Sequence, residues 1–231
     1  ARRLSRNVAS FRSSSSEIEP TFGEVLKQQA TEPTPVRRAA ASKPPRPEVS
    51  NIDRSIFRAY DIRGIVGESL DENVARLLGQ AVGSSLREQG LREIVVGRDG
   101  RLSGPSLSAA LIEGLRRAGC DVIDIGMAAT PLVYFATHHL NTGSGIAVTG
   151  SHNPPDYNGF KIVVGGITLS GDAVQDLYAR IAENRLEDEG GGGLQVIDIS
   201  DDYIQAVSGD IQLERRLKVV VDAGNGVAGA I

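Results

Sequence analysis

The chain of 231 residues is 40% hydrophobic, 23% charged and 4% aromatic, with no Trp. This is ordinary globular usage that leaves room for one large or two small domains and excludes fibrous, collagen-like and wholly disordered chains. The net charge of -4 is uneven: residues 1–50 hold nine Lys/Arg against five Asp/Glu, and the rest of the chain holds 16 against 24. An acidic body lacks the cationic surplus that sequence-independent affinity for nucleic acid needs, so no nucleic-acid partner is expected. No run approaches the ~18–20 apolar residues of a membrane-spanning helix. Nor does Ala1-Arg2-Arg3-Leu4-Ser5-Arg6 lead into the apolar core of a secretory signal. A single Cys120 excludes an intrachain disulfide and a zinc cluster, and it points to a reducing, cytoplasmic setting. The chain starts at Ala1 and stops at Ile231, just after an apolar run and a Gly-rich turn, and so reads as a piece of something longer.

Residues 1–50 contain six of the ten prolines, the run Ser13-Ser14-Ser15-Ser16 and few spaced apolar residues, the composition of a disordered tail or linker. From Ile52 onward strand and helix patterns alternate. Asp71 suits an N-cap, Val74, Leu77, Leu78, Ala81, Val82 and Leu86 recur at helical spacing, and Gly90 suits the C-terminal cap. Glu93 to Gly97 reads as a buried strand. A helix opened by Pro105 and closed by Gly119 follows, then a strand over Val122 to Ile125. Next come an apolar helix from Pro131 to about His139, strands over Gly145–Val148 and Phe160–Val164, and a helix from Ser170 to about Ala182. The run Gly190 to Gly193 has the look of an interdomain hinge, so a boundary is expected there, dividing 51–193 from 194–231. Beyond it, Val196–Ile199, a short helix from about Asp201 and a strand over Leu217–Val221 predict the opening of a second unit. The fold class is α/β, with a mixed, mostly parallel sheet flanked by helices.

Three segments could carry chemistry. Gly224-Asn225-Gly226-Val227-Ala228-Gly229 spells a dinucleotide-type turn after an apolar strand, although such a turn also arises for purely structural reasons. The loop Thr149-Gly150-Ser151-His152-Asn153-Pro154-Pro155 lies between two strands, where open α/β sheets bind ligands. Neighbours on an extended chain point to opposite faces, so Ser151 beside His152 does not imply a hydrogen-bonded pair, and the Gly-x-Ser-x-Gly elbow of α/β-hydrolases is absent. A serine that is phosphorylated and hands on its phosphoryl group is the other chemistry open to this loop, with His152 or Lys161 balancing charge. Arginines at the turns Tyr60-Asp61-Ile62-Arg63-Gly64 and Gly97-Arg98-Asp99-Gly100-Arg101 are the third feature. Arg63 has the planar fork that fits phosphate, whereas Arg98 and Arg101 are read as pairing with Asp99 to hold their turn. His138 and His139 fit a helix end.

Taken together, Phe57-Arg58-Ala59-Tyr60-Asp61-Ile62-Arg63-Gly64, Val96-Gly97-Arg98-Asp99, Thr149-Gly150-Ser151-His152-Asn153-Pro154 and Val220-Val221-Asp222-Ala223-Gly224-Asn225-Gly226 resemble the bacterial phosphomannomutase/phosphoglucomutase branch of the α-D-phosphohexomutase superfamily. The resemblance covers the chain after residue 51 and reassigns the Gly224 turn to the start of a second domain, with no dinucleotide. It implies reversible interconversion of hexose 1-phosphates and 6-phosphates, with mannose 1-phosphate and glucose 1-phosphate as partners. Phosphorylated Ser151 would donate to the sugar, a 1,6-bisphosphate would turn over and also act as activator, and the other phosphate would return to Ser151. Catalytic roles fall to Ser151, His152, Lys161 and Arg63, and substrate binding to Tyr60, Arg63 and Asn153. A phosphoryl oxygen on Ser151 would meet Mg²⁺. The family's Asp-Gly-Asp-x-Asp-Arg metal loop and its later sugar and phosphate loops are missing here, so the chain as written is expected to be inactive, although its parent is a mutase. A monomer is the favoured state. A non-catalytic binding or regulatory module that keeps the first-domain fold is the competing expectation.

Overall fold

The computed structural model of the chain describes residues 52–224 and 226–231. The expected tail over 1–50 and position 225 of the Gly-rich turn lie outside the described residues. In chain order the elements are β1 (Ile62–Ile65), α1 (Glu72–Glu88), β2 (Glu93–Arg98), α2 (Gly104–Arg117) and β3 (Asp121–Met127). They continue with α3 (Thr130–His139), β4 (Gly145–Val148), β5 (Tyr157–Val164), β6 (Ile167–Thr168), α4 (Asp172–Ala182), β7 (Leu194–Val196) and α5 (Ser200–Asp210). The strands form one seven-stranded sheet in the order β1-β5-β4-β2-β3-β7, with β6 on β5. Pairs β4/β2, β2/β3 and β3/β7 are parallel, and pairs involving β5 are antiparallel. The sheet is mixed, as the alternation of patterns predicts.

Side-chain alternation gives each central strand two apolar faces. Ile94 and Val96 of β2, Ile146 and Val148 of β4, and Phe160 and Ile162 of β5 pack with α1, α2 and α4 in the larger core. Val95 and Ala147 face the other way, into a smaller core with Leu132, Val133 and Ala136 of α3. The result is three layers, helix on sheet on helix. The predicted face of α1 is the buried one, and its caps form as expected. Asp71 accepts a hydrogen bond from Val74 N–H at 2.8 Å, while Gly90 at φ 75° lets Leu91 N–H reach Leu86 O at 3.0 Å.

The glycine run takes a defined course, and one expected strand is corrected. The glycine run is no free hinge: Arg116 Nε donates to Gly192 O at 2.9 Å, Gly193 N–H donates to Asp121 Oδ1 at 2.7 Å, and Gly190 N–H donates to Arg117 O at 2.8 Å. It returns the chain to the same sheet, where β7 joins β3 in parallel and Ile199 closes the smaller core. Residues 194–199 thus return to the sheet and its smaller core. The strand expected over Leu217–Val221 is irregular, with Val220 98% exposed, because strand geometry needs a neighbouring strand to take up its backbone groups.

Candidate active site

Strands β2 and β4 are neighbours in parallel, with Arg98 opposite Val148, and their onward connections leave toward opposite flanks of the sheet. A crevice opens at the carboxyl ends of two such strands, and the turn after β2 there faces the loop after β4. Asp99 ties the two together. Its Oδ2 accepts from Thr149 Oγ1 at 2.8 Å and from Gly150 N–H at 3.0 Å, and its Oδ1 accepts from Arg101 N–H at 3.0 Å. Arg101 reaches across from the same turn. One terminal nitrogen donates to Pro154 O at 2.5 Å and Tyr157 O at 2.9 Å, and the other to Ser151 O at 3.1 Å and Asn153 O at 2.6 Å.

Inside this frame Ser151 has φ 51°, in the left-handed region, a conformation that costs a non-glycine residue about 1–3 kcal/mol and so persists only where surroundings impose it. That backbone brings Ser151 Oγ to 3.2 Å from His152 Nδ1. The two side chains therefore meet, contrary to the expectation for an extended chain, because the chain here is not extended. Ser151 is exposed.

Arg63 comes from β1, opposite Gly159 on β5, and is 3% exposed. It donates to Gly150 O, the carbonyl just before Ser151, and to Asp61 Oδ2 at 2.6 Å. Its Nε is buried with no hydrogen-bond partner. Buried donors are ordinarily paired, so this Nε is an exception within the side chain that holds the carbonyl before Ser151. Lys161 on β5 holds its Nζ 3.9 Å from Asp61 Oδ2, so Asp61 bridges the two cations. Asn153 donates through Nδ2 to Gly150 O at 3.2 Å, an engagement internal to the loop. Tyr60 sits at the tip of a turn closed by Arg58 N–H to Asp61 O and is 76% exposed. His139 lies 3.6 Å from Asp202 and stacks on Phe135.

The residues present do not by themselves make a Mg²⁺ site. Mg²⁺ demands near-octahedral oxygen ligands, whereas Asp61 and Asp99 are engaged by cations, a hydroxyl and backbone N–H groups. Among the described residues no group of three or more His, Cys, Asp or Glu could hold a metal ion.

Sequence reasoning passed over Asp61, Asp99 and Thr149 as site residues and gave Arg101 only a turn-holding role. A signal was present: Asp-x-Arg occurs at both turns, Asp61-Ile62-Arg63 and Asp99-Gly100-Arg101. In each, a carboxylate precedes by two residues the arginine that reaches the serine loop.

Layering, strand order and site define a three-layer α/β/α domain with a strained serine over the carboxyl ends of its parallel strands. Residues 54–188 match the family model described as phosphoglucomutase/phosphomannomutase, alpha/beta/alpha domain I. The chain is 51% identical over 177 residues to a phosphomannomutase/phosphoglucomutase of Pseudomonas aeruginosa, covering 77% of this chain and 38% of the relative. It is 46% identical over 183 residues to a phosphoglucomutase of Neisseria meningitidis serogroup B, covering 79% and 40%. A crystal structure of a phosphoglucomutase/phosphomannomutase family protein from Burkholderia thailandensis superposes with a TM-score of 0.73 at 53% identity, over 78% of this chain and 41% of that one. The chain belongs to the phosphoglucomutase/phosphomannomutase family. It spans about 40% of the length of the curated relatives it matches. Among the described residues no helix is long and apolar enough to cross a membrane.

Proposed function

We propose that this chain supplies the phosphoserine centre of a hexose phosphate mutase acting on mannose 1-phosphate, glucose 1-phosphate or both. The observation that carries the reading is the exposed Ser151 in a left-handed conformation, with the buried Arg63 guanidinium on the carbonyl just before it. Phosphoryl transfer asks a protein mostly for position and for charge that meets the moving phosphoryl group. In the forward half-reaction the C6 hydroxyl of the hexose 1-phosphate attacks the phosphorus on Ser151. An O–P bond forms at C6 as the bond to Ser151 Oγ breaks, the hydroxyl proton passes to a base, and Ser151 Oγ leaves as a hydroxyl with a proton from an acid. In the second half Ser151 Oγ, 3.2 Å from His152 Nδ1, gives its proton to that imidazole and attacks the C1 phosphorus of the bisphosphate; the O–P bond at C1 breaks and the sugar oxygen leaves with a proton from an acid. Arg63 and Lys161 hold the phosphoryl charge. Tyr60, exposed at its turn, is free to meet the sugar, and Asn153 contributes through the shape of the loop.

Hexose 1,6-bisphosphate activates by rephosphorylating Ser151 whenever the intermediate escapes. Mg²⁺ at a phosphoserine oxygen needs carboxylates that these residues do not supply, so we assign turnover to the whole protein and none to this segment alone. The first domain, in this reading, runs through α5 to Asp210, which packs against α3, and the later residues belong to the next unit. Phosphorylated hexoses and a buried, reduced Cys120 suit the cytoplasm.

The test is conversion of mannose 1-phosphate and glucose 1-phosphate to their 6-phosphates by the full-length protein, with Mg²⁺ and a bisphosphate, against Ser151→Ala. Removing the covalent nucleophile should cut kcat by at least about 10⁴-fold. No turnover by folded, phosphorylated wild type would overturn the reading.

A further inference from the structure

We propose that Arg101 is a positioning residue that holds Ser151 in its left-handed, transfer-ready conformation by clamping the peptide plane after it, while Arg63 holds the plane before it. The proposal rests on the mutase reading of Ser151. The orientation of the two peptide planes flanking a Cα is what φ and ψ describe. The plane ahead of Ser151 is fixed through Gly150 O, which receives Arg63, and the plane behind it through Ser151 O, which receives Arg101 at 3.1 Å. Each of the two planes thus has its own arginine.

Arg101 has no capacity left for phosphate. Both N–H groups on each terminal nitrogen are engaged by carbonyls, at Pro154 and Tyr157 on one and at Ser151 and Asn153 on the other, and Nε faces Asp99 Oδ2 at 3.5 Å. Four carbonyls turned onto one cation bind the loop from 151 to 157 into a single body. A lysine cannot replace this fork, because its three donors diverge from one atom.

Gly150 gives independent geometric support. A Cβ built there would lie 1.9 Å from Arg101 Nε and 2.0 Å from Cζ, so the guanidinium fills the space a side chain would take. Gly150 does not need the left-handed backbone that would otherwise explain a glycine, since its φ is not positive. An alanine at 150 is therefore incompatible with Arg101 in its clamp, and the three nearest heavy atoms all belong to that one side chain.

The experiment is a double-mutant cycle in the full-length protein: wild type, Arg101→Ala, Gly150→Ala and both together, with Arg101→Lys alongside. Each is read by kcat and KM for glucose 1-phosphate and by amide hydrogen exchange over residues 150–157. Misplacing a reacting group by about 1 Å costs about 10²-fold, so each single variant should lose about that factor in kcat with KM within about threefold, and Arg101→Lys should not rescue. The double variant should be no slower than Arg101→Ala, since the methyl group has nothing left to displace. Exchange over the loop should quicken equally in all three. Losses that multiply, or recovery in Arg101→Lys, would overturn the clamp. If wild type shows no turnover, the mutase reading fails, and the exchange arm alone then judges the clamp: unchanged protection in both single variants overturns it, and equal loss without addition in the double variant supports it.

Discussion

Between α1 and α4, Arg180 gives both terminal nitrogens to the carboxylate of Glu88 at 2.6 Å and its Nε to Asp176 at 2.6 Å. At the serine loop Arg101 gives its terminal nitrogens to neutral carbonyls, and Arg63 divides its donors between a carbonyl and Asp61. Two cations, Arg180 and Arg185, thus face three carboxylates, Glu88, Asp176 and Glu183, in the first cluster. In the second, Arg63, Arg101 and Lys161 share only Asp61 and Asp99. The first arrangement is closed and joins helices. The second has more cations than carboxylates and leaves the Arg63 Nε without an acceptor, an excess of positive charge that fits the phosphoryl group proposed for Ser151.

The sharpest way to break this comparison is to move the activity and the stability separately. If the full-length protein is the mutase proposed above, Arg63→Gln, which removes the unpartnered donor and a charge from the serine loop, should lower kcat/KM by about 10²–10³-fold. Arg63→Lys should restore little, because an ammonium cannot hold Gly150 O, Asp61 and phosphate together. Activity of Arg63→Lys within about tenfold of wild type would show that charge alone suffices there.

A second probe involves packing without charge. A Cβ at Gly114 of α2 would sit 2.0 Å from Arg76 O of α1, and one at Gly79 would sit 2.1 Å from Leu111 O, so the two helices touch backbone to backbone. Gly114→Ala must force them apart and should cost about 3 kcal/mol, read as a lower urea midpoint, with KM unchanged. An unchanged midpoint would mean that the helices slide at no cost.

Such packing shows where the sequence was legible. The apolar spacing of α1, its Asp71 and Gly90 caps, and the run of strands from Glu93 to Val164 follow from local rules, because each element's pattern states which face is buried. The serine loop was legible as a crowding of polar residues between two strands. The part that was not legible depends on long-range partners. Whether Val196 or Val220 becomes a strand is decided by the presence of a strand edge, which β3 offers to the first and nothing among the described residues offers to the second. Arg101 reads locally as a turn residue, and only the register of β2 against β4 reveals that its guanidinium reaches carbonyls some fifty residues on.

The closed cluster can be tested at two levels. Arg180→Met removes a cation that is 7% exposed, but its partners Glu88 and Asp176 are about half exposed and rehydrate readily, so the loss at neutral pH should be about 1–2 kcal/mol rather than the 3–5 of a fully buried pair. Turnover should be unaffected, and a fall in kcat would mean that the two clusters are coupled.

The smallest expected effect is the pH dependence of that loss. The hydrogen bond from Arg180 holds the Glu88 carboxyl below its ordinary value. At Asp176 burial pushes upward, but the hydrogen bonds from Arg180 and Arg185 outweigh it and the carboxyl also lies low. Both groups bind protons more weakly in the folded chain than in the unfolded one. Their contribution is therefore full above the ordinary carboxylate range and is lost as pH falls through the depressed folded values. Without Arg180 the main cause of the depression is gone at Glu88, and Asp176 keeps only what Arg185 supplies. The gap in melting temperature between wild type and Arg180→Met should accordingly be widest near pH 7 and narrow from about pH 5 downward, as the protonated carboxyls stop distinguishing the two proteins. A gap that stays constant to about pH 3 would assign the role of Arg180 to the packing of its aliphatic stem, and the closed cluster would then owe its stability to shape rather than to charge.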